Sequence, residues 1–184
     1  MGMIGIHSDI ERVLISETEI QTNVSKLAEQ ISADYADNGQ LVVVGILKGS
    51  FIFMSDLTRR LTVPHRVDFM ALSSYGQTTT ATGAVRIIMD LRVNIEGRHV
   101  LIIEDIIDSG YTLHYLLDML RTRNPASLRS CVLLSKPDRR KVDVPIDYIG
   151  FEIPDVWVVG YGLDYAELHR TLPYIGALKP EVYQ

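Results

Sequence analysis

Two short apolar runs, Leu41-Val42-Val43-Val44-Gly45-Ile46 and Val100-Leu101-Ile102-Ile103, restrict what this chain can fold into more than any other feature. Neither alternates polar with apolar residues, and both are rich in β-branched side chains. A strand with one wet face alternates. A strand covered on both faces does not, and such strands belong to parallel sheets whose crossovers lay helices over each side. The segments around them fit. Residues 16–36 carry Ile20, Val24, Leu27, Ala28, Ile31 and Tyr35 at helical spacing, with Ser16 and Glu19 placed as a capping box and Asn38-Gly39 as a stop. After Leu47-Lys48-Gly49-Ser50, a second helix is predicted from Met54, Leu57 and Leu61, and a third from Leu113, Leu116, Leu117 and Leu120. Residues 129–134 form the next predicted strand. Strand and helix repeating in this order indicate an α/β fold with a mainly parallel sheet.

Cys131, within that strand, is the only cysteine, so no intrachain disulfide forms and an inert core thiol is expected. Two stretches interrupt the pattern. Residues 73–83 are small and polar with two glycines, which fits a mobile functional loop or a long surface hairpin equally well. From Ile146 onward, further β-like runs and many aromatics point to a small flanking lobe. No basic leader precedes an apolar run and no apolar stretch reaches a membrane span, so a cytoplasmic protein without membrane contact is expected. The net charge of −5 disfavours a nucleic-acid-binding face.

The segment from Glu104 to Thr112 is where chemistry is expected. In open α/β sheets, ligands bind at the carboxyl ends of strands. Here Glu104, Asp105 and Asp108 follow a buried strand, and Ser109, Gly110, Tyr111 and Thr112 open the next helix. Gly110 can adopt backbone angles closed to other residues, letting the following N–H groups face an anion. Glu104 and Asp105 are hard oxygen donors suited to Mg²⁺ or to the vicinal hydroxyls of a ribose. Together they imply a phosphorylated sugar carrying Mg²⁺. The plainer reading is an acidic helix N-terminus held by the helix dipole. The spacing fits neither a Walker loop nor a dinucleotide-binding glycine pattern.

The run Ile103-Glu104-Asp105-Ile106-Ile107-Asp108-Ser109-Gly110-Tyr111-Thr112 resembles the phosphoribosyl-pyrophosphate signature of type I phosphoribosyltransferases, and within them the hypoxanthine-guanine enzymes, bacterial members above all. The likeness runs from about Ile10 to Tyr183 and implies one domain over residues 1–184, with a hood built from both terminal segments. By that resemblance, Lys48 and Gly49 of the Leu47-Lys48-Gly49-Ser50 loop hold the leaving pyrophosphate, with the peptide before the lysine often cis. Ser74 and Tyr75 belong to a lid that excludes water. Glu104 and Asp105 contact ribose hydroxyls or the metal, Asp108 is the general base, and residues 108–112 hold the ribose phosphate. Lys136 donates to the exocyclic oxygen of a 6-oxopurine, Trp157 stacks on the base and the Val158 backbone meets its edge. Asp164 holds a second Mg²⁺ through water, and Arg170 contacts pyrophosphate.

Taken singly, each has a bland alternative: a solvated turn for Lys48, core for Trp157, a helix cap for Asp164, a surface charge for Arg170. The departures are small. Tyr111 sits at a variable position, Ser50 stands where some relatives have glycine, and Trp157 replaces a phenylalanine. The implied reaction is phosphoribosyl transfer from phosphoribosyl pyrophosphate to hypoxanthine or guanine, in a homodimer or homotetramer. Lys136, a donor only, mismatches the amino group of adenine; xanthine remains open. The rival is a regulator of the same fold that binds nucleic acid, but such proteins carry a DNA-binding domain or a basic face. The five histidines, His7, His65, His99, His114 and His169, are scattered without metal-ligand spacing.

Overall fold

In the computed structural model, which describes residues 7–37, 39–74 and 85–183, the two apolar runs lie side by side at the centre of a six-stranded sheet. These are β2 (Leu41–Leu47) and β5 (His99–Ile107), paired in parallel with Val42 opposite Val100 and Val44 opposite Ile102. On either side lie β3 (His65–Ser74) and β6 (Ser127–Ser135), both parallel to their neighbours, and β7 (Tyr148–Glu152) continues the parallel run beyond β6. Only β4 (Val85–Met89), at the far edge beside β3, is antiparallel.

The two-residue period of a strand divides each central run between two cores. Val43, Leu101 and Ile103 face α1 (Glu17–Asp34) and α2 (Phe51–Thr58), against Ile20, Val24, Phe53 and Leu57. Val42, Val44, Val100 and Ile102 face α3 (Tyr111–Arg121), against Leu113, Leu116 and Leu120. The capping box is present: the Ser16 N–H donates to Glu19 at 2.8 Å and the Glu19 N–H to the Ser16 hydroxyl at 3.3 Å. Helix α1 ends at Asp34, two residues before the predicted end, and Asn38 lies outside the described residues. Leu61 falls beyond α2 but is buried all the same. Cys131 is fully buried and its thiol pKa is pushed up by burial, as an inert core residue requires.

A separate three-stranded antiparallel sheet forms the flanking lobe, with β9 (Ile175–Leu178) between β1 (Ile10–Ile15) and β8 (Val158–Val159). It joins the two ends of the described chain. The lobe stands beside the carboxyl edge of the large sheet, where the loops after β2, β5 and β6 emerge. A short helix, α4 (Pro180–Tyr183), closes the described residues.

Candidate active site

Strand β5 runs to Ile107, so Glu104 and Asp105 lie on the strand rather than in the loop expected to begin at Glu104. Pairing with β6 continues through them, with Glu104 opposite Val132 and Ile106 opposite Leu134. The buried strand therefore carries its carboxylates rigidly. Glu104 is 7% exposed, and its Oε1 accepts no hydrogen bond among the described residues. Burial, and then the neighbouring Asp105, push its pKa well up. Asp105 is half-buried, and desolvation raises its pKa to about 6, against hydrogen bonds from its own N–H and that of Ile106 and the charge of Arg170. Two adjacent carboxyls held this way have too little positive charge around them to offset their burial.

The sign of the Asp105 effect follows from its raised pKa. The folded protein holds the proton more tightly than the unfolded chain, so the stability it contributes is complete below pH ~4 and lost as pH rises through about 6. Discounted for partial exposure, the change is on the order of 2 kcal/mol. Urea denaturation of the ligand-free protein at pH 4 and pH 7, beside Asp105→Asn, should show a larger loss in the wild type than in the variant, where Glu104 alone keeps a raised pKa. Equal pH dependence in both would remove the argument.

Beyond β5 the chain turns at Gly110, where φ is +90° and α3 begins. The turn is braced from behind: Ser109 O accepts from Lys141 N at 3.0 Å and from Val142 N at 3.3 Å. No acidic residue sits in the first turn of α3, so its N–H groups and dipole face outward without an internal anion. A cavity of about 170 Å³ opens there, lined by Glu104, Asp108, Ser109, Gly110 and Thr112 among others. Tyr111 is exposed and does not line it.

At the end of β6, Lys136 is 8% exposed with its Nζ 3.5 Å from Asp155. Asp108 accepts from Arg139 Nε at 2.9 Å, and the same guanidinium lies 3.4 Å from Asp155. Trp157 is 53% exposed rather than in the core, with Tyr165 edge-on at 5.9 Å and Tyr183 tilted by 36° at 5.6 Å. A cavity of about 320 Å³ lies among Asp108, Lys136, Arg139, Asp155, Trp157 and Tyr183. A neighbouring one of about 210 Å³ is lined by Asp105, Asp108, Lys136, Trp157, Val158 and Asp164. Asp108 borders all three cavities.

The loop after β2 completes the site. Its Leu47–Lys48 peptide is cis. Gly49 presses against β5 so closely that a Cβ would lie 1.7 Å from Asp105 Oδ2. Gly162, at φ +109°, stacks on it in turn, where a Cβ would meet Gly49 O at 2.0 Å. Only glycine lets these two loops close against β5 here. Lys48 Nζ and Arg170 Nη2 both pair with Glu167, at 3.0 and 3.2 Å. Arg170 Nη2 also contacts Asp164 at 2.8 Å, and its Nη1 donates to Gly162 O at 2.9 Å. Its Nε is buried without a partner among the described residues. Glu167, with its pKa lowered by Lys48 and Arg170, thus bridges two cations at the mouth of the site.

The phosphoribosyl transferase domain model matches residues 16–166, most of the chain. The chain belongs to that family. It is 54% identical to a hypoxanthine-guanine phosphoribosyltransferase of Dictyostelium discoideum over 94% of this chain and 97% of the other. It is 52% identical to the Bacillus subtilis protein of the same name, over 96% and 97%. A crystal structure of a Staphylococcus aureus hypoxanthine phosphoribosyltransferase superposes with a TM-score of 0.94 at 50% identity, covering all of both chains. The type I phosphoribosyltransferase fold expected from the resemblance is therefore the fold observed.

Within this phosphoribosyltransferase, Glu104, Asp105, Asp108, Ser109, Gly110, Thr112, Lys136, Trp157, Val158 and Asp164 line three cavities that share Asp108. Lys48 and Arg170 meet through Glu167 at its edge. Of the lid, Ser74 ends β3, while Tyr75 and the rest of the polar stretch to residue 84 lie outside the described residues. Sequence reasoning missed Arg139, Asp155, Glu167 and Tyr183. Each is an ordinary charged or aromatic side chain on a loop or, for Arg139 and Tyr183, on a helix of three or four residues, with no periodicity to mark it. The histidines need a correction: folding brings His7 and His169 together beside Asp9.

Proposed function

We propose that this chain transfers the phosphoribosyl group of phosphoribosyl pyrophosphate to hypoxanthine or guanine, releasing pyrophosphate and the nucleoside monophosphate. One observation carries the reading: Asp108 borders both the cradle at the start of α3 and the cavity containing Lys136 and Trp157. The group poised to handle a proton therefore stands between a phosphate site and an aromatic-faced base site.

In this reading the N–H groups of residues 109–112 hold the ribose phosphate. Trp157 stacks on the purine, Val158 meets its edge, and Lys136 donates to its exocyclic oxygen. A purine ring nitrogen attacks the anomeric carbon as the bond to pyrophosphate breaks, through an oxocarbenium-like transition state. Asp108 accepts the hydrogen bond from the ring N–H and holds the proton released there. Lys48, Gly49 and Arg170 receive the departing pyrophosphate, which takes over the two cations now bridged by Glu167. Ser74 and Tyr75 belong to the segment that would shield the reacting carbon from water.

The donor set fits magnesium. Glu104 Oε1 is buried without a partner among the described residues, and the adjacent carboxyls have raised pKa values. Glu104, Asp105 and Asp164 are the oxygen donors that would hold Mg²⁺, which when bound supplies positive charge against the pyrophosphate. Assembly as a homodimer or homotetramer in the cytoplasm belongs to the same reading, and sedimentation would measure the assembly.

The decisive experiment is steady-state kinetics with each purine, phosphoribosyl pyrophosphate and Mg²⁺, beside a metal-free control. Turnover of hypoxanthine or guanine with none of adenine is expected, and xanthine is scored in the same series. Turnover of adenine alone, or none with any purine, would overturn the reading.

A further inference from the structure

The flanking lobe holds a second cluster with ligand character, remote in sequence from every catalytic motif except at one point. His7, Asp9 and His169 each place one donor atom within 4.8 Å of the other two. His169 Nε2 lies 3.2 Å from Asp9 Oδ2, and His7 Nδ1 lies 3.6 Å from the same oxygen. A tetrahedral zinc ion with bonds near 2.0–2.1 Å separates its ligand atoms by about 3.3 Å. Two of the three separations are thus close to what such an ion imposes.

The segments that carry the donors are held in place through their backbone. The His7 N–H donates to Tyr174 Oη at 3.1 Å, and the carbonyl of Asp9 accepts from Lys179 N at 2.9 Å. His7 Nδ1 accepts from the Asp9 N–H at 3.3 Å, a hydrogen bond that a metal ion on that nitrogen would have to replace. The His169 side chain is only 8% exposed, whereas His7 and Asp9 are 44% and 37% exposed, leaving an open side. His169 sits at φ +71° and Glu167 at +66°, backbone angles uncommon for residues other than glycine that the surroundings must maintain.

We propose that His7, Asp9 and His169 form a binding site for a transition-metal dication, with Zn²⁺ the natural occupant and water as its fourth ligand. Two imidazoles and a carboxylate suit zinc and its neighbours in the Irving–Williams order, and do not suit Mg²⁺. The site is distinct from the oxygen-donor set around Glu104, Asp105 and Asp164. Its position gives it a role: it would tie the start of β1 to the loop whose next residue, Arg170, pairs with Asp164 and Glu167.

The test is calorimetric titration of tag-free protein with Zn²⁺ in excess Mg²⁺, which occupies the oxygen sites, with Co²⁺ as a spectroscopic probe of coordination. One ion per chain is expected, with a tetrahedral Co²⁺ spectrum. Zn²⁺ at 100-fold over its dissociation constant should raise Tm by about 5 °C. His7→Gln, at an exposed side chain, should weaken uptake at least tenfold and abolish the Tm rise, and Asp9→Asn should do the same. Zn²⁺ uptake equal in the wild type and both variants, or no saturable uptake, would overturn the proposal and leave an ion pair between His169 and Asp9.

Discussion

Asp108→Asn should lower kcat by roughly 10²–10⁴-fold, the range of a lost general base, while phosphoribosyl pyrophosphate binds as before. The amide keeps the shape of the side chain and can still accept a hydrogen bond, but it cannot hold the proton leaving the purine. The cradle at the start of α3 relies on backbone N–H groups and the Gly110 turn, which the substitution leaves in place. The fold should also survive. The variant loses the pair with Arg139, but both side chains are about half exposed, at 51% and 42%, and such pairs contribute at most about 1 kcal/mol. The same pair has a kinetic meaning on the proposed reading: Arg139 Nε donates to Asp108 Oδ1, a bond that a purine meeting that oxygen would displace. Steady-state rates with calorimetric binding of the sugar substrate separate the outcomes. Unchanged turnover would sink the assignment, and equal losses in binding and turnover would make Asp108 a ribose-phosphate ligand only.

Lys136→Ala should reduce kcat/KM for hypoxanthine and guanine by about 10–100-fold, the worth of one hydrogen bond from a charged donor. The discrimination against adenine should shrink with it. On the proposed reading, adenine would present an amino group to an ammonium that is 8% exposed and can only donate, so the bond from Lys136 to the base would be lost. Once the ammonium is gone that mismatch disappears, so the ratio falls from both sides. Asp155 loses one cation but keeps Arg139 at 3.4 Å and is 47% exposed, so no unpaired buried charge remains. Lys136→Met, which retains the aliphatic stem, separates lost donation from lost packing. Retained purine selectivity in both variants would show that the preference lies elsewhere, in Trp157 and the Val158 backbone.

Much of the fold was legible because its signals are local. The unbroken runs at 41–46 and 100–103 have no reading but strands covered on both faces, and α1 and α3 show their buried stripes residue by residue. The turn at the start of α3 was legible for the same reason, since Gly110 and its hydroxyl neighbours lie within a few residues. The strand end at 104–107 was less so. Glu104 and Asp105 look like loop residues in sequence, and only pairing with β6 keeps them extended. Trp157 shows the opposite difficulty, an aromatic in an apolar stretch whose exposure depends on where the lobe stands.

The sequence by itself determined the layered α/β architecture and the glycine turn at the start of α3, because periodicity and short-range spacing encode them. The tertiary structure alone decided how the residues at the carboxyl edge are electrostatically arranged. Glu167 reaches Lys48 across 119 positions and Arg139 reaches Asp108 across 31. His7 and His169 meet from opposite ends of the described chain. The raised pKa of Asp105 likewise belongs to its burial at that edge, not to its neighbours in sequence. Charge pairing and desolvation depend on distance in space, and no pattern along the chain records a distance that only the packed sheet and lobe create.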